Sequence, residues 1–204
     1  MPAADLFARL GLFVRRGFLD PESCERLREH ARTASKVPGA VGAEDAEYEV
    51  DVRSRSTDIA EVAPEAVALV SNRLDALTPE ISLHFDVELG GRQSLQFLVY
   101  NEGDFFEPHR DRNETGAAAA FGSARRVSVV LFLNREAEQP SPGSYGGGAL
   151  TFYGLMGGDP KVGLPLLGEQ GLLVGFASDL VHGVTPVTHG ERYTVVTWLV
   201  AAGG

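Results

Sequence analysis

Two histidines and one aspartate are the residues best suited to chemistry, because a folded chain could gather them around one metal ion. One residue separates His109 from Asp111, so in an extended segment both side chains point the same way. His182 lies in a later segment with strand character and would add a second imidazole. Two imidazoles and a carboxylate on one face of an ion leave three positions open, as an Fe(II) oxygenase requires. A His-x-Asp pair at a strand end also occurs by chance, so the spacing alone leaves a purely structural role open.

An arginine ten residues after His182 strengthens the case for a ligand site. Strand alternation places four side chains on one face of this segment: Arg192, Thr194, Val196 and Trp198. An arginine that faces an otherwise apolar sheet needs an anion to offset its burial. A carboxylate is the natural candidate, since it can pair with the guanidinium through two hydrogen bonds.

The elements that must position these residues are mostly β-strands in the second half of the chain. Short segments rich in Val, Leu, Phe, Tyr and Thr, bounded by Gly, Pro, Asn or Ser, predict strands at 92–100, 126–133, 149–152, 171–176, 182–187 and 192–200. The intervals between them are too short and too polar for crossover helices. We therefore expect a mostly antiparallel sandwich, barrel or jelly roll.

The first third is predicted to supply helices that pack on one face of the sheet. A strand at 12–19 leads to a helix start at Asp20-Pro21, an N-cap followed by proline in the first turn. The apolar stripe of Cys24, Leu27, Ala31 and Ala34 predicts one helix from that start, with Cys24 in the core. The spacing of Val67, Val70, Leu74 and Leu77 predicts a second helix that ends before Thr78-Pro79, where a short further helix is expected to begin. We expect a loop at 36–47 and a strand at 48–55. The predicted fold class is mainly β (α+β) in one domain, 1–204, with helical support over about 1–90 and a core over about 91–200.

Composition narrows the classes of partner and compartment. The chain has 204 residues, 18 basic and 28 acidic side chains, and a formal charge of −10. This balance disfavours nucleic-acid and anionic-membrane binding. A single cysteine, Cys24, excludes an internal disulfide and a cysteine-based zinc cluster, and no apolar run reaches a membrane span. We expect a cytoplasmic protein that binds no membrane. A chain of this length folds without a metal, so metal ligands here would serve chemistry.

The ordered set of motifs resembles the Fe(II)- and 2-oxoglutarate-dependent dioxygenases, especially the branch similar to prolyl 4-hydroxylases. That pattern has a tyrosine, a glycine, His-x-Asp, a distal histidine and a basic residue about ten positions later. This chain reads Tyr100, Gly103, His109-Arg110-Asp111, His182 and Arg192. The segments 126–134 and 147–152 match further, and the likeness spans about 12–200. Ala149 departs from the pattern where related chains often carry Glu, which bears on the substrate side.

The resemblance implies a fold, a cofactor set and a role for individual residues. It implies a double-stranded β-helix, or jelly-roll, core that holds Fe(II) through His109, Asp111 and His182. Arg192 would pair with the C5 carboxylate of 2-oxoglutarate and Tyr100 would donate a hydrogen bond to it. Further site residues are Thr194 and Ser128 beside the cosubstrate, and Trp198, Arg110 and Gln96 in the substrate pocket.

The implied reaction is hydroxylation of an unactivated C–H bond. Oxygen and 2-oxoglutarate would be consumed through a ferryl species, with release of succinate and CO2, and ascorbate is admitted as an accessory reductant. The presence of Asp111 favours hydroxylation over halogenation, because the related halogenases replace this acid with a small residue.

Several alternatives stay open at this point. The substrate could be a peptidyl proline, a free amino acid or another small metabolite. The loops expected to border the mouth of the active site (34–47, 113–124 and 136–145) contain no residues that distinguish between these substrates. The same three ligands could serve a cupin-like hydrolase or isomerase with another metal. A noncatalytic jelly-roll binding module is the third alternative. The sequence does not indicate the oligomeric state.

Overall fold

The computed structural model describes residues 3–39, 55–112, 122–159 and 161–203. Most of the predicted strand at 48–55 and much of two predicted mouth loops fall outside these ranges. The helices are α1 (Ala3–Arg9), α2 (Pro21–Thr33) and α3 (Pro64–Phe85), with a short 3-10 helix at Leu155–Gly157. The strands are β1 (Leu12–Arg15), β2 (Lys36–Pro38), β3 (Arg55–Ser56), β4 (Asp58–Ala60), β5 (Leu89–Arg92), β6 (Gln96–Tyr100), β7 (Phe105–His109), β8 (Arg125–Phe132), β9 (Tyr145–Gly147), β10 (Leu150–Tyr153), β11 (Gly163–Leu166), β12 (Leu173–Ala177), β13 (His182–Val184), β14 (Val187–Gly190) and β15 (Arg192–Ala201).

The strands of the described residues form two facing sheets and a small ribbon. The major sheet has eight strands in the order β1-β12-β8-β15-β6-β4-β2, with β5 also paired to β15. The minor sheet has the order β11-β10-β13-β7-β3, and β14 pairs with β9. All the strand pairs are antiparallel. This arrangement confirms the predicted jelly-roll core and its mainly β class.

Strand β15 shows how the sequence divides the interior into two layers. Its odd-numbered residues Tyr193, Val195 and Leu199 face the helices and join their apolar residues in the largest core cluster. Its even-numbered residues face the minor sheet, as the alternation predicted. Phe132 and Phe152 belong to the apolar layer between the two sheets. Helices α2 and α3 therefore cover the outer face of the major sheet, whereas Phe7 of α1 packs against the apolar layer between the sheets.

Helix α2 begins as predicted, because Asp20 caps it. The Asp20 carboxylate accepts a hydrogen bond from the Ser23 backbone N–H at 2.8 Å, and Pro21 occupies the first turn. The buried stripe includes Cys24, Leu27 and Ala31. This stripe confirms that Cys24 is a core residue.

Helix α3 corrects the prediction that a helix ends before Thr78-Pro79. It runs unbroken through Pro79 to Phe85. Ile81 is fully buried and lies two turns beyond the buried Leu74, so the same apolar stripe continues past the proline. The Thr78 hydroxyl, one residue before the proline, donates to the Leu74 carbonyl at 3.0 Å. Packing of the stripe outweighs the local penalty of proline.

Two shorter differences also have a tertiary cause. The first predicted strand, 12–19, is shortened to β1, after which the chain turns toward α2. The predicted loop at 36–47 begins with strand β2, whose three residues are exposed and pair with β4. Without a buried face, β2 shows no alternation that a sequence could reveal. No helix in the described part of the chain combines the length and apolar character needed to cross a membrane.

Candidate active site

Strand pairing in the minor sheet brings the two predicted histidine ligands together. His109 ends β7 and His182 begins β13, and the two residues are direct partners in the register. Their ring centroids are 4.4 Å apart. Asp111 follows β7, and its backbone N–H donates to the Ser178 carbonyl at 3.0 Å. One ligand atom from each of the three side chains lies within 4.8 Å of the others.

Each histidine is oriented by a backbone carbonyl on the side away from the cluster. His109 Nδ1 lies 2.8 Å from the Glu107 carbonyl oxygen, and His182 Nδ1 lies 3.0 Å from the Leu180 carbonyl oxygen. A carbonyl only accepts hydrogen bonds, so each Nδ1 must carry the proton. In the neutral form of each ring, Nε2 is therefore the nitrogen with the lone pair, and it is directed at the cluster, as in a histidine that binds a metal.

The carboxylate of Asp111 lies between the two imidazoles. Its oxygens are 3.5 Å from His109 Nε2 and 3.4 Å from His182 Nε2. Burial raises the pKa of Asp111, but His182, His109 and the Ser128 hydroxyl outweigh burial and hold the pKa well below its usual range. Burial lowers the pKa of His182, and the nearby Asp111 only partly offsets this. The cluster therefore favours an ionised carboxylate beside a neutral imidazole.

A cavity connects this cluster with Arg192 and is lined by His109, Asp111, His182 and Arg192. Arg192 is 1% exposed, and its Nη1 donates to the Thr194 hydroxyl at 3.3 Å. Its Nε has no hydrogen-bond partner, and Arg192 makes no ion pair with any residue that the structure describes. Aromatic rings flank the guanidinium, with Tyr100 at 4.9 Å and Phe132 at 5.1 Å from its carbon atom to the ring centroids. A buried cation in this state favours an anionic ligand.

The residues present fit both Fe(II) and a dicarboxylate. Two imidazole nitrogens and a carboxylate form the donor set of non-haem iron oxygenases. Arg192, in the same cavity, provides an unpaired buried charge for a carboxylate. The fit rests on two independent features, the donor set and the buried cation.

The residues predicted beside the cosubstrate divide between the two ends of the cavity. Tyr100 is the register partner of Arg192, and Thr194 contacts the guanidinium directly. Both residues therefore lie beside the position that a carboxylate paired with Arg192 would occupy. Ser128 differs, because its hydroxyl lies 2.6 Å from an oxygen of Asp111. The structure thus gives Ser128 a contact with the metal-ligand cluster that the sequence did not indicate.

Of the three residues predicted for the substrate pocket, two line the cavity and one does not. Trp198 and Gln96 line the cavity, and Gln96 Oε1 is buried with no hydrogen-bond partner among the described residues. Arg110 is exposed and is not among the described residues that line the cavity. It sits between His109 and Asp111 but points away, since its two neighbours in the extended segment face the cluster.

Two arginines near the cavity make contacts that the sequence did not indicate. Arg125 stacks over Trp198, with its guanidinium carbon 3.7 Å from the ring centroid, and donates from Nη1 to the Asp111 carbonyl at 3.3 Å. Arg55 is buried, lines the cavity and lies over Phe106 at 5.0 Å. Both contacts join segments far apart in the chain. No local pattern could have revealed them.

The fold and this cavity together define a jelly-roll oxygenase. The chain belongs to the 2OG-Fe(II) oxygenase superfamily, whose sequence profile matches residues 95–200. The matched segment begins just before β6 and includes Tyr100, the three cluster residues and Arg192. The match removes the cupin-like enzyme and the noncatalytic module as leading alternatives.

Individual relatives support the same assignment. The PKHD-type hydroxylase YbiX of Escherichia coli is 29% identical over 190 residues, which cover 90% of this chain and 75% of the relative. The structure of a Pseudomonas putida prolyl-4-hydroxylase aligns with a TM-score of 0.73 and 25% identity, covering 98% of this chain and 97% of the other. A prolyl hydroxylase from Trichoplax adhaerens, solved with a hypoxia inducible factor peptide fragment, aligns with a TM-score of 0.72 and 19% identity, covering 97% and 88%. The chain is an Fe(II)- and 2-oxoglutarate-dependent hydroxylase.

Proposed function

We propose that residues 1–204 form one oxygenase domain that hydroxylates a prolyl residue in a peptide. The observation that carries the chemistry is the shared cavity, in which the His109, Asp111 and His182 cluster and the unpaired cation of Arg192 line the same space. In this proposal the cluster holds Fe(II), and Arg192, with Tyr100 and Thr194, holds the C5 carboxylate of 2-oxoglutarate.

The residues of the chain act by orientation and by exclusion of water. When bound, the iron couples the decarboxylation of 2-oxoglutarate to the oxidation of a substrate C–H bond by O2, with succinate and CO2 as products. Arg192 binds the C5 carboxylate of 2-oxoglutarate, so the cosubstrate is held in one orientation before the reaction begins. The apolar residues Leu98, Val130 and Val196 line the cavity and limit its water, which protects the oxidising chemistry from side reactions.

Trp198 and Gln96 support the substrate side of the proposal. The Trp198 ring, held under Arg125, offers a flat apolar wall of the kind that a proline ring packs against. Gln96 offers a buried amide oxygen without a partner, which could accept a hydrogen bond from a peptide N–H. The names of the P. putida and T. adhaerens proteins favour a prolyl substrate, and the peptide bound to the latter favours a peptidyl one. A free amino acid is the second candidate, for which Arg55 would offer a charge for its carboxylate.

A two-stage experiment tests this function. Apo-protein is first titrated anaerobically with Fe(II) and 2-oxoglutarate, and the visible metal-to-ligand charge-transfer band is followed. We expect a band in the wild type and none in His182→Ala. Proline-containing peptides and free proline are then compared by succinate release and by mass spectrometry for the gain of one oxygen atom. Absence of the band would refute the proposed cosubstrate site. If free proline is oxidised and the peptides are not, free proline replaces the peptide as the proposed substrate.

Three narrower predictions accompany the proposal. The cytoplasmic location, the use of ascorbate as a reductant and the lack of nucleic-acid or membrane partners remain predictions from composition and resemblance. The oligomeric state is left open. Arg110 is retained only as a surface residue that could meet a bound peptide, since it is exposed beside the cluster.

A further inference from the structure

A buried pair of serine hydroxyls lies behind the carboxylate of the metal-ligand cluster. Ser128 Oγ is 2.6 Å from Asp111 Oδ2 and 3.0 Å from Ser178 Oγ. Ser128 is 2% exposed, Asp111 9% and Ser178 1%. Bulk water therefore does not compete for these contacts. A separation of 2.6 Å is typical of a hydroxyl that donates to an ionised carboxylate.

The contact geometry makes Ser128 the donor in both hydrogen bonds, with an Asp111 oxygen and Ser178 Oγ as the two acceptors. A serine hydroxyl has one proton, and an ionised carboxylate can only accept. The two acceptors therefore share the proton of Ser128, and the shorter contact favours Asp111. Of the two hydroxyls, that of Ser128 is the one that holds the carboxylate.

We propose that Ser128 is a positioning residue that sets the orientation of the Asp111 carboxylate for binding iron. This inference rests on the proposed function, because it presumes that Asp111 is a ligand. The two histidine ligands are fixed by backbone carbonyls, which no substitution removes. The Asp111 carboxylate depends instead on side chains, since Asp111 lies beyond the end of β7.

The sheet makes this support rigid. Ser128 is on β8, where it pairs with Phe176 on β12 and with Trp198 on β15. A residue flanked by strands on both sides has little freedom to move. Ser178 follows β12, and its carbonyl also accepts the backbone N–H of Asp111 at 3.0 Å. Ser178 therefore holds the backbone of Asp111, and its hydroxyl accepts from Ser128.

Binding of Mn(II) to the apo-protein, without cosubstrate or oxygen, tests the proposal independently of turnover. Loss of a group that orients a ligand lowers metal affinity by about 10- to 100-fold, which is the effect expected for Ser128→Ala. Ser178→Ala removes the second acceptor of the Ser128 proton and keeps the backbone contact with Asp111, so its Kd should stay within about threefold of the wild type. The double variant should bind as Ser128→Ala does, because the Ser178 hydroxyl acts only through Ser128. Isothermal titration calorimetry or the EPR signal of free Mn(II) measures each Kd.

Thr197→Val is the matched control. Thr197 is buried on the neighbouring strand β15, and its hydroxyl donates to the Gln93 carbonyl at 2.7 Å, outside the described lining of the cavity. We expect this variant to lower Tm and to leave the Kd for Mn(II) unchanged. Mn(II) binding that is lost in Asp111→Ala but kept within twofold in Ser128→Ala would overturn the inference alone. A wild type that binds no Mn(II) would overturn the proposed function together with it.

Discussion

Arg192 is expected to govern cosubstrate affinity and apo-protein stability in opposite directions. It is 1% exposed and makes no ion pair among the described residues, although the Glu136 carboxyl interacts with it electrostatically, so a bound anion would stabilise its desolvated charge. Arg192→Met keeps most of the side-chain volume and removes the charge. Affinity should fall while the free energy of unfolding of the apo-protein rises.

The magnitudes follow from the contacts. A hydrogen bond to a charged group contributes about 1.5–3 kcal/mol, so a bidentate pair with a carboxylate contributes roughly 3–6 kcal/mol. At about 1.4 kcal/mol per factor of ten, Arg192→Met should weaken 2-oxoglutarate binding by at least about 100-fold. The cation–π contacts with Tyr100 and Phe132 offset part of the burial cost in the apo-protein. The net gain in stability should therefore be about 1 kcal/mol, or an increase in Tm of about 2–4 °C.

The assay is an anaerobic titration of the Fe(II)-loaded protein with 2-oxoglutarate, followed by the charge-transfer band, alongside thermal unfolding of the apo-protein. Arg192→Lys keeps the charge without the planar fork and should lie between wild type and Arg192→Met. Arg16→Met is the control, because Arg16 pairs with Glu169 at 3.0 Å on the exposed surface. If Arg192→Met binds 2-oxoglutarate within about threefold of the wild type, Arg192 does not hold the cosubstrate and the reasoning is refuted.

Three further predictions concern the substrate wall, the core and a turn. Trp198→Ala should raise the KM for a prolyl peptide and leave 2-oxoglutarate affinity unchanged; steady-state kinetics with each substrate varied would show the opposite pattern if Trp198 served the cosubstrate. Burial raises the pKa of the Cys24 thiol to about 11, so iodoacetamide at pH 8 should label the native protein over about 100-fold more slowly than the urea-unfolded protein. For the same reason the stabilisation from the buried, protonated Cys24 thiol is complete below the pKa of the unfolded thiol and is lost as pH rises through the folded value. Equal labelling rates in the native and the unfolded protein would contradict the burial of Cys24. Gly171→Ala should cost about 2–3 kcal/mol, because φ is +78° and a Cβ would lie 2.2 Å from the Leu19 carbonyl oxygen. Thermal unfolding should show a much smaller loss for Gly17→Ala, where φ is +63° and nothing lies within 4 Å; equal losses would show that the contact with Leu19 is not the cause.

Part of this protein could be read from short-range patterns. Alternation along 192–198 correctly separated the residues that face the cavity from those that face the helices. The spacing of Cys24, Leu27 and Ala31 predicted the buried stripe of α2, because each helix or strand repeats on a fixed period. The chemical types at His109, Asp111 and His182 indicated a metal site before any geometry was known.

The extent of helix α3 shows where such patterns stop being sufficient. Proline at position 79 predicts a helix end on local grounds, yet the burial of Ile81 against the sheet continues the helix to Phe85. Likewise, β2 has no buried face and exists because β4 offers it a partner. In both cases a contact made only in the folded state outweighs the local preference.

The sequence by itself determined which groups are suited to bind a metal and an anion and on which face of their strands they lie, because residue type and strand period are local properties. The tertiary structure alone decided what surrounds them. It placed the Ser128 hydroxyl against Asp111, stacked Arg125 on Trp198 and left Arg192 without an ion pair among the described residues. Each of these features depends on the register between strands that are distant in sequence, and register is fixed by the packing of the whole sheet rather than by any one segment.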